Sequence, residues 1–210
     1  LYMAVQRKSF AVTRHELAMM AGLGVLFSSS SLSLFNSFHF MGAGIACTLL
    51  FVYPIMVAVI MAVFFKEKVT TSTVLSILLA LMGIALLYKG GDGETLSGIG
   101  VSLVALSSLT YALYIIVVNK SALIMSSVKL TFYVLLIGTV ILIAYSFVGE
   151  DTRIQPLTTV SMWVYAMVLA VFPTIISLIL MVIAVHNVGS TPTAVMGALE
   201  PITAVCIGIF

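Results

Sequence analysis

Charge is what this sequence has least of. Asp, Glu, Lys and Arg make up 8% of its 210 residues, where a soluble domain carries about a quarter. That shortage excludes a water-facing surface and leaves the bilayer as solvent. Cysteine is scarce too: Cys47 and Cys206 stand alone, each inside an apolar run. They exclude a disulfide framework and a cysteine metal site, and are read as small packing residues. There are three histidines, and the topology derived below puts His39 and His186 on opposite sides of the membrane, which excludes a metal pair. No nucleotide-binding motif occurs, so direct ATP drive is not expected. The net charge of +2 is too small to make nucleic acid a partner. No catalytic residue, metal or cofactor is expected.

What is present is apolar sequence. Hydrophobic residues make up 62% of the chain, and the mean hydropathy is +1.27. Charge-free runs cover 17–65, 69–88, 95–119, 130–149, 154–199 and 201–210. A helix crossing the hydrocarbon core needs about 20 apolar residues, so each of the two long runs holds two spans. The breaks between them are "NSFHFMGAG" (36–44) and "HNVGSTP" (186–192). This predicts seven helices near 17–38, 45–65, 71–88, 98–118, 130–148, 160–185 and 192–210. Numbering the loops alternately puts seven of the nine basic residues on one side: Arg7, Lys8, Arg14, Lys66, Lys68, Lys120 and Lys129. Only Lys89 and Arg153 fall opposite. The basic side is therefore expected to be cytoplasmic.

The two breaks resemble each other. His39-x-x-Gly42 followed by Pro54 matches His186-x-x-Gly189 followed by Pro201, at a constant offset of 147 residues, and an Ile follows each proline. The two proline helices are an odd number of spans apart, so they run in opposite directions. Inverted repeats with broken helices at matching positions mark secondary transporters, with the substrate site near the midplane between the halves. The fold expected is an all-α polytopic membrane protein, an inverted-repeat bundle of five plus five helices with about seven present here. Residues 1–97 would be a partial first repeat: the end of its second helix, then helices three to five. Residues 98–210 would be the first four helices of the second, so the chain is expected to be cut at both ends.

Three stretches, "YPIMVAVIMAVFFKEKVT" (53–70), "GIGVSLVALSSLTYALYIIVVNK" (98–120) and "LEPITAV" (199–205), resemble the drug/metabolite transporter superfamily, in its EamA-like branch. In that family a proline-containing helix ends in a Gly-Glu pair. Here Lys66 stands where the glycine is usual, and Glu67 keeps the acid. The resemblance implies a secondary transporter of small polar or amphipathic solutes, amino-acid-like or drug-like, working as an exporter or exchanger by alternating access. It implies a multi-pass protein of the bacterial inner membrane. The partners expected are the lipid bilayer, a small-molecule substrate, protons or another coupling ion, and a second copy of the chain as a homodimer. A non-transporting scaffold or sensor, or an intramembrane enzyme, is the alternative.

Glu200 is the leading site residue, because an acid near mid-membrane is costly unless it faces the bundle interior. Pro54 and Pro201 each free a backbone carbonyl about a turn upstream, and in lipid that group needs a partner or a wet cavity. Either proline could act as a hinge, with Gly42 and Gly189 in the adjoining breaks. Tyr53 holds the repeat position of Glu200 and would face it across one cavity. Tyr111 is the deeper of a pair three residues apart. Tyr114 is expected to anchor at the membrane interface, with cavity lining as its other role. Asn36, Thr174 and Ser177 complete the possible lining, the last two also covering backbone loosened by Pro173. Ser28–Ser31 and Ser33 are expected to pack helices closely, and Trp163 to anchor at an interface.

Overall fold

The computed structural model describes residues 13–68, 97–121, 126–148 and 156–197, with isolated helical positions at 71, 74, 75, 78 and 82. All regular structure among the described residues is helical. The elements are α1 (Arg14–Ser37), α2 (Ala43–Leu50), α3 (Tyr53–Phe65), α4 (Gly98–Lys120), α5 (Ser127–Tyr145), α6 (Val160–Leu169), a π-helical segment (Ala170–Ile176), α7 (Ser177–Val188) and α8 (Ser190–Gly197). Five stretches are long and apolar enough to cross a membrane: Arg14–Ser37, Ala43–Phe65, Gly98–Lys120, Ser127–Tyr145 and Val160–Val188. This is a polytopic helical membrane protein. The span expected at 45–65 is split at Phe51 and Val52. The helix expected at 71–88 is described only at the isolated positions, and the last one leaves the described residues after Gly197.

Local sequence explains the starts. Thr13 and Glu16 form a reciprocal cap on α1: the Thr13 hydroxyl accepts the Glu16 N–H at 3.3 Å, and the Glu16 carboxylate accepts the Thr13 N–H at 2.8 Å. The hydroxyl of Ser126 likewise accepts the Lys129 N–H at the start of α5. Such caps satisfy N–H groups that have no acceptor in their own helix.

Helix α4 is the centre of the bundle, packed against α1, α2, α3, α7 and α8. Small residues set the close approaches. Ser30 on α1 and Ser107 on α4 clasp reciprocally: Ser30 Oγ donates to the Ser107 carbonyl at 3.0 Å, and Ser107 Oγ to the Ser30 carbonyl at 2.8 Å. Between α1 and α5, a Cβ added at Gly24 would lie 2.7 Å from Ile137 Cγ2, and one at Gly138 would lie 3.1 Å from Ser28 Oγ. Helices in lipid gain little from apolar burial against each other, so small residues and interhelical hydrogen bonds carry the packing. The serine run is thus a packing device, as its composition indicated. Helix α6, by contrast, has no buried residue, and Trp163 is exposed on it.

Contact pairs fix direction. Ser30 meets Ser107 while Gly100 faces Phe40 and Met41, so α1 and α4 are antiparallel. Ser28 meets Gly138 and Asn36 meets Tyr145, so α1 and α5 are parallel. Leu50 meets Ser108, Tyr53 meets Tyr111, and the Lys120 ammonium lies 4.8 Å from the Phe65 ring centroid, so α3 and α4 are parallel. The starts of α1 and α5 and the ends of α3 and α4 therefore share one end of the bundle. That end carries every described Lys and Arg: Arg14, Lys66, Lys68, Lys120 and Lys129.

The positive-inside rule predicts that this end is cytoplasmic. Single cysteines at Lys120 and Glu150, on a background lacking Cys47 and Cys206, should react oppositely with an impermeant thiol reagent applied to intact cells. Glu150→Cys should label and Lys120→Cys should not. The reverse pattern would invert the topology.

Candidate functional site

Pro54 is the second residue of α3. Lacking an N–H, it leaves the Leu50 carbonyl without its helical donor. The Ser108 hydroxyl on α4 donates to that carbonyl at 3.2 Å. Just after it, Phe51 and Val52 N–H groups bond the Thr48 and Leu49 carbonyls at 3.2 and 3.1 Å, tightening the end of α2. Of the two outcomes expected for this freed carbonyl, a partner or a wet cavity, the structure shows a partner, the Ser108 hydroxyl. Pro173 repeats the pattern within the π-helical segment, where the Thr174 hydroxyl donates to the Leu169 carbonyl at 3.0 Å. Thr174 covers loosened backbone, and Ser177 is exposed.

The second break turns at Gly189, whose φ of +95° favours a residue without Cβ. Gly42, by contrast, caps α2 at φ −58°. The two breaks differ in backbone yet keep their register: α2 begins at Ala43 and α8 at Ser190, separated by the same 147 residues that relate the two motifs.

Three tyrosines meet beside the first break. Tyr53 opens α3 and is buried. Its ring meets Tyr111 edge to face, centroids 4.9 Å apart at 79°. Tyr111 lies nearly parallel to Tyr114, at 6.2 Å and 14°. Phe27 of α1 tilts against Tyr114 at 5.8 Å. The spacing of three puts Tyr111 and Tyr114 on one face of α4, and offset or edge-to-face aromatic pairs are the favoured geometries. Tyr114 is not an interface anchor. It is 0% exposed, and its hydroxyl has no partner among the described residues. The reason is the central position of α4, whose neighbours close over it on several sides. Nothing in the local sequence distinguishes such a tyrosine from a belt residue.

Tyr53 also reaches the second break. A Cβ built on Gly197 of α8 would collide with the Tyr53 hydroxyl. Glu200 and Pro201 follow by three and four residues and lie outside the described residues, as do Lys89, Asp92, Glu94, Glu150 and Arg153. The structure thus joins Tyr53, Tyr111 and Tyr114 and sets the first against the helix that leads to Glu200. Asn36 is not part of this group. Its amide donates to the Tyr145 hydroxyl at 3.0 Å, nine residues, or roughly 13 Å, along α1 from Phe27. Sequence reasoning missed Ser108; its signal was the "SS" at 107–108, a depth-matched hydroxyl opposite a proline break.

A family model described as the EamA-like transporter family matches residues 1–89 and 98–210. No curated protein matches the chain.

The contact between Gly197 and Tyr53 predicts a compensating pair. Gly197→Ala should lower thermal stability by roughly 1–3 kcal/mol, the usual cost of overpacking. Tyr53→Phe removes the colliding oxygen and should restore at least half of it, since the next ring atom is 3.2 Å away. Additive losses in the double variant would show that the two residues do not meet.

Proposed function

The chain belongs to the EamA-like transporter family, and on that premise we propose that it is a secondary exporter or exchanger of small polar or amphipathic solutes, amino-acid-like or drug-like, of the bacterial inner membrane. Its substrate occupies the centre of the bundle between α3, α4 and α8, and the two inverted halves rock about it. The observation that carries this reading is the tyrosine group. It combines flat apolar faces with a buried hydroxyl, that of Tyr114, which has no hydrogen-bond partner among the described residues. An unpaired buried hydroxyl costs about 1–3 kcal/mol. A solute that accepts its hydrogen bond removes the penalty and gains aromatic contact at once.

Glu200 supplies the titratable group. At its sequence position an acid is expensive in lipid; in a central cavity it binds a proton or a cationic substrate group and releases it as the halves rock. Pro201 beside it removes an N–H, so carboxylate and opened backbone serve one depth. The residues expected at the site are Tyr53, Tyr111, Tyr114 and Glu200, with Gly189 and the proline breaks as the points that let the hairpins move.

The test is flux in proteoliposomes, with a panel of labelled amino acids and amphipathic amines and a pH gradient. At least one solute should move. Tyr111→Ala should reduce its transport roughly tenfold, the equivalent of one aromatic contact. Glu200→Gln should abolish gradient-driven flux while leaving thermal stability near normal. Full gradient-driven flux in a well-folded Gln variant would remove the coupling role, and no flux of any solute would favour a scaffold.

A further inference from the structure

Hydroxyls in this bundle bond backbone carbonyls as a rule. Ser28 donates to Gly24 at 2.7 Å, Ser37 to Leu34 at 2.6 Å, and Thr193 to Gly189 at 2.7 Å. Four buried hydroxyls depart from it, those of Tyr114, Thr131, Ser190 and Thr191, and only Ser190 and Thr191 are neighbours in the chain. They are 1% and 8% exposed, and neither hydroxyl has a partner among the described residues. The cause is local. At Gly189 the chain turns out of α7 in a left-handed conformation, and the two residues open α8 with no carbonyl of their own helix a turn behind them. Their N–H groups are first-turn groups, also without an acceptor in the helix. Pro192 has no N–H, and the Thr193 N–H goes to the Gly189 carbonyl.

The surroundings give this donor-rich turn its sign. The first turn of a helix carries partial positive charge, and with free N–H groups it is an anion-binding element. Helix α8 packs on α3, α4 and α7. Asn119, beside Lys120 at the end of α4, donates its amide to the Val185 carbonyl at 3.2 Å, which brings the basic end of the bundle to the α7–α8 turn. Of the described acids, Glu16 is held by Thr13, and Glu67 is exposed at the end of α3. A cation placed here would face the positive end of α8. An acceptor oxygen would supply what each hydroxyl lacks among the described residues.

We propose that the first turn of α8, with the hydroxyls of Ser190 and Thr191, is a binding site for a small oxyanion, the carboxylate or phosphate oxygen of a substrate or of a free cytoplasmic anion. In the transport reading it is the point where an anionic solute first docks at the basic end, before it reaches the tyrosines. That reading supplies only the source of the anion; the site itself stands on the buried hydroxyls.

The test is thermal melting of the full chain in nanodiscs, titrated with sodium acetate and with sodium phosphate. The unaltered protein should show a saturable rise of roughly 3 °C at ten times the dissociation constant. Ser190→Ala and Thr191→Val should each lose it. Without added anion both should melt at or above the unaltered protein, because each removes a buried hydroxyl that lacks a partner. Ser190→Thr and Thr191→Ser keep the hydroxyls and should keep the rise. No rise, a rise that never saturates, or an equal rise in all variants overturns the proposal; each would mean that the turn holds water or nothing specific. For the source, selective loss of carboxylate-bearing solutes from the flux panel in Thr191→Val marks the substrate. Loss of all flux when acetate and phosphate are omitted marks the free anion. Melting needs no transport, so a protein that moves no solute can still pass this test, and a transporter of cations alone can still fail it.

Discussion

A bilayer offers no water to a broken helix, so every backbone group that a break frees must find a partner inside the protein. The rest of this structure follows from that constraint. The chain breaks its spans at Pro54, at Pro173 and at Gly189, and at each break a hydroxyl stands against the exposed carbonyl: Ser108 on Leu50, Thr174 on Leu169, Thr193 on Gly189. Two of these hydroxyls are local. Ser108 comes from another helix, so the break between α2 and α3 is tied to α4, and α4 in turn is clasped to α1 through Ser107 and Ser30. Consecutive residues of one helix therefore join both halves of the first hairpin. This also explains why α4 sits at the centre: it carries the donors on which its neighbours depend.

The same constraint makes exceptions informative. When hydroxyls are routinely turned onto carbonyls, a buried one left without a partner marks a place where the protein does not complete its own bonding. Tyr114, Thr131, Ser190 and Thr191 are such places; Thr131 lies apart on α5, and the other three belong to elements that meet at α8, since α4 packs on it and Ser190 and Thr191 open it. Depth separates them. Tyr114 lies six residues before the end of α4, about 9 Å along its axis, and Ser190 begins the helix that enters from that same end. From the turn of α7 and α8 inward, the unpartnered hydroxyls of Ser190 and Thr191 come first and the stacked rings of Tyr114 and Tyr111 after them.

Much of this was legible in the sequence, because it follows from periodicity and charge. The spans, their number within the described residues and the clustering of Lys and Arg at one end need only hydropathy and alternation. The serine run around Ser30 could be read as packing because small residues have one main use between helices in lipid. The tyrosines were half legible. Their spacing put Tyr111 and Tyr114 on one face, but which face meets lipid depends on how many neighbours α4 has, and that is a property of the assembled bundle. Tyr114 was misplaced for this reason. The fate of the Leu50 carbonyl was out of reach as well, since its donor lies 58 residues away in the chain. The bond between Asn36 and Tyr145 was out of reach too, since the two are 109 residues apart.

The repeat gives the constraint its last consequence. The offset that pairs Pro54 with Pro201 also pairs Leu50 with Gly197 and Tyr53 with Glu200. In the first unit Pro54 frees the Leu50 carbonyl, and Ser108 satisfies it. In the second, Pro201 has no N–H to offer the Gly197 carbonyl, and the Tyr53 hydroxyl lies where a Cβ on Gly197 would be. Leucine could not occupy this position, because any Cβ would meet the Tyr53 oxygen; glycine is what lets Tyr53 approach α8 this closely. The two breaks are therefore not independent copies. One is tied to α4 through Ser108, and ahead of the other, Tyr53, the residue that begins α3, lies against Gly197.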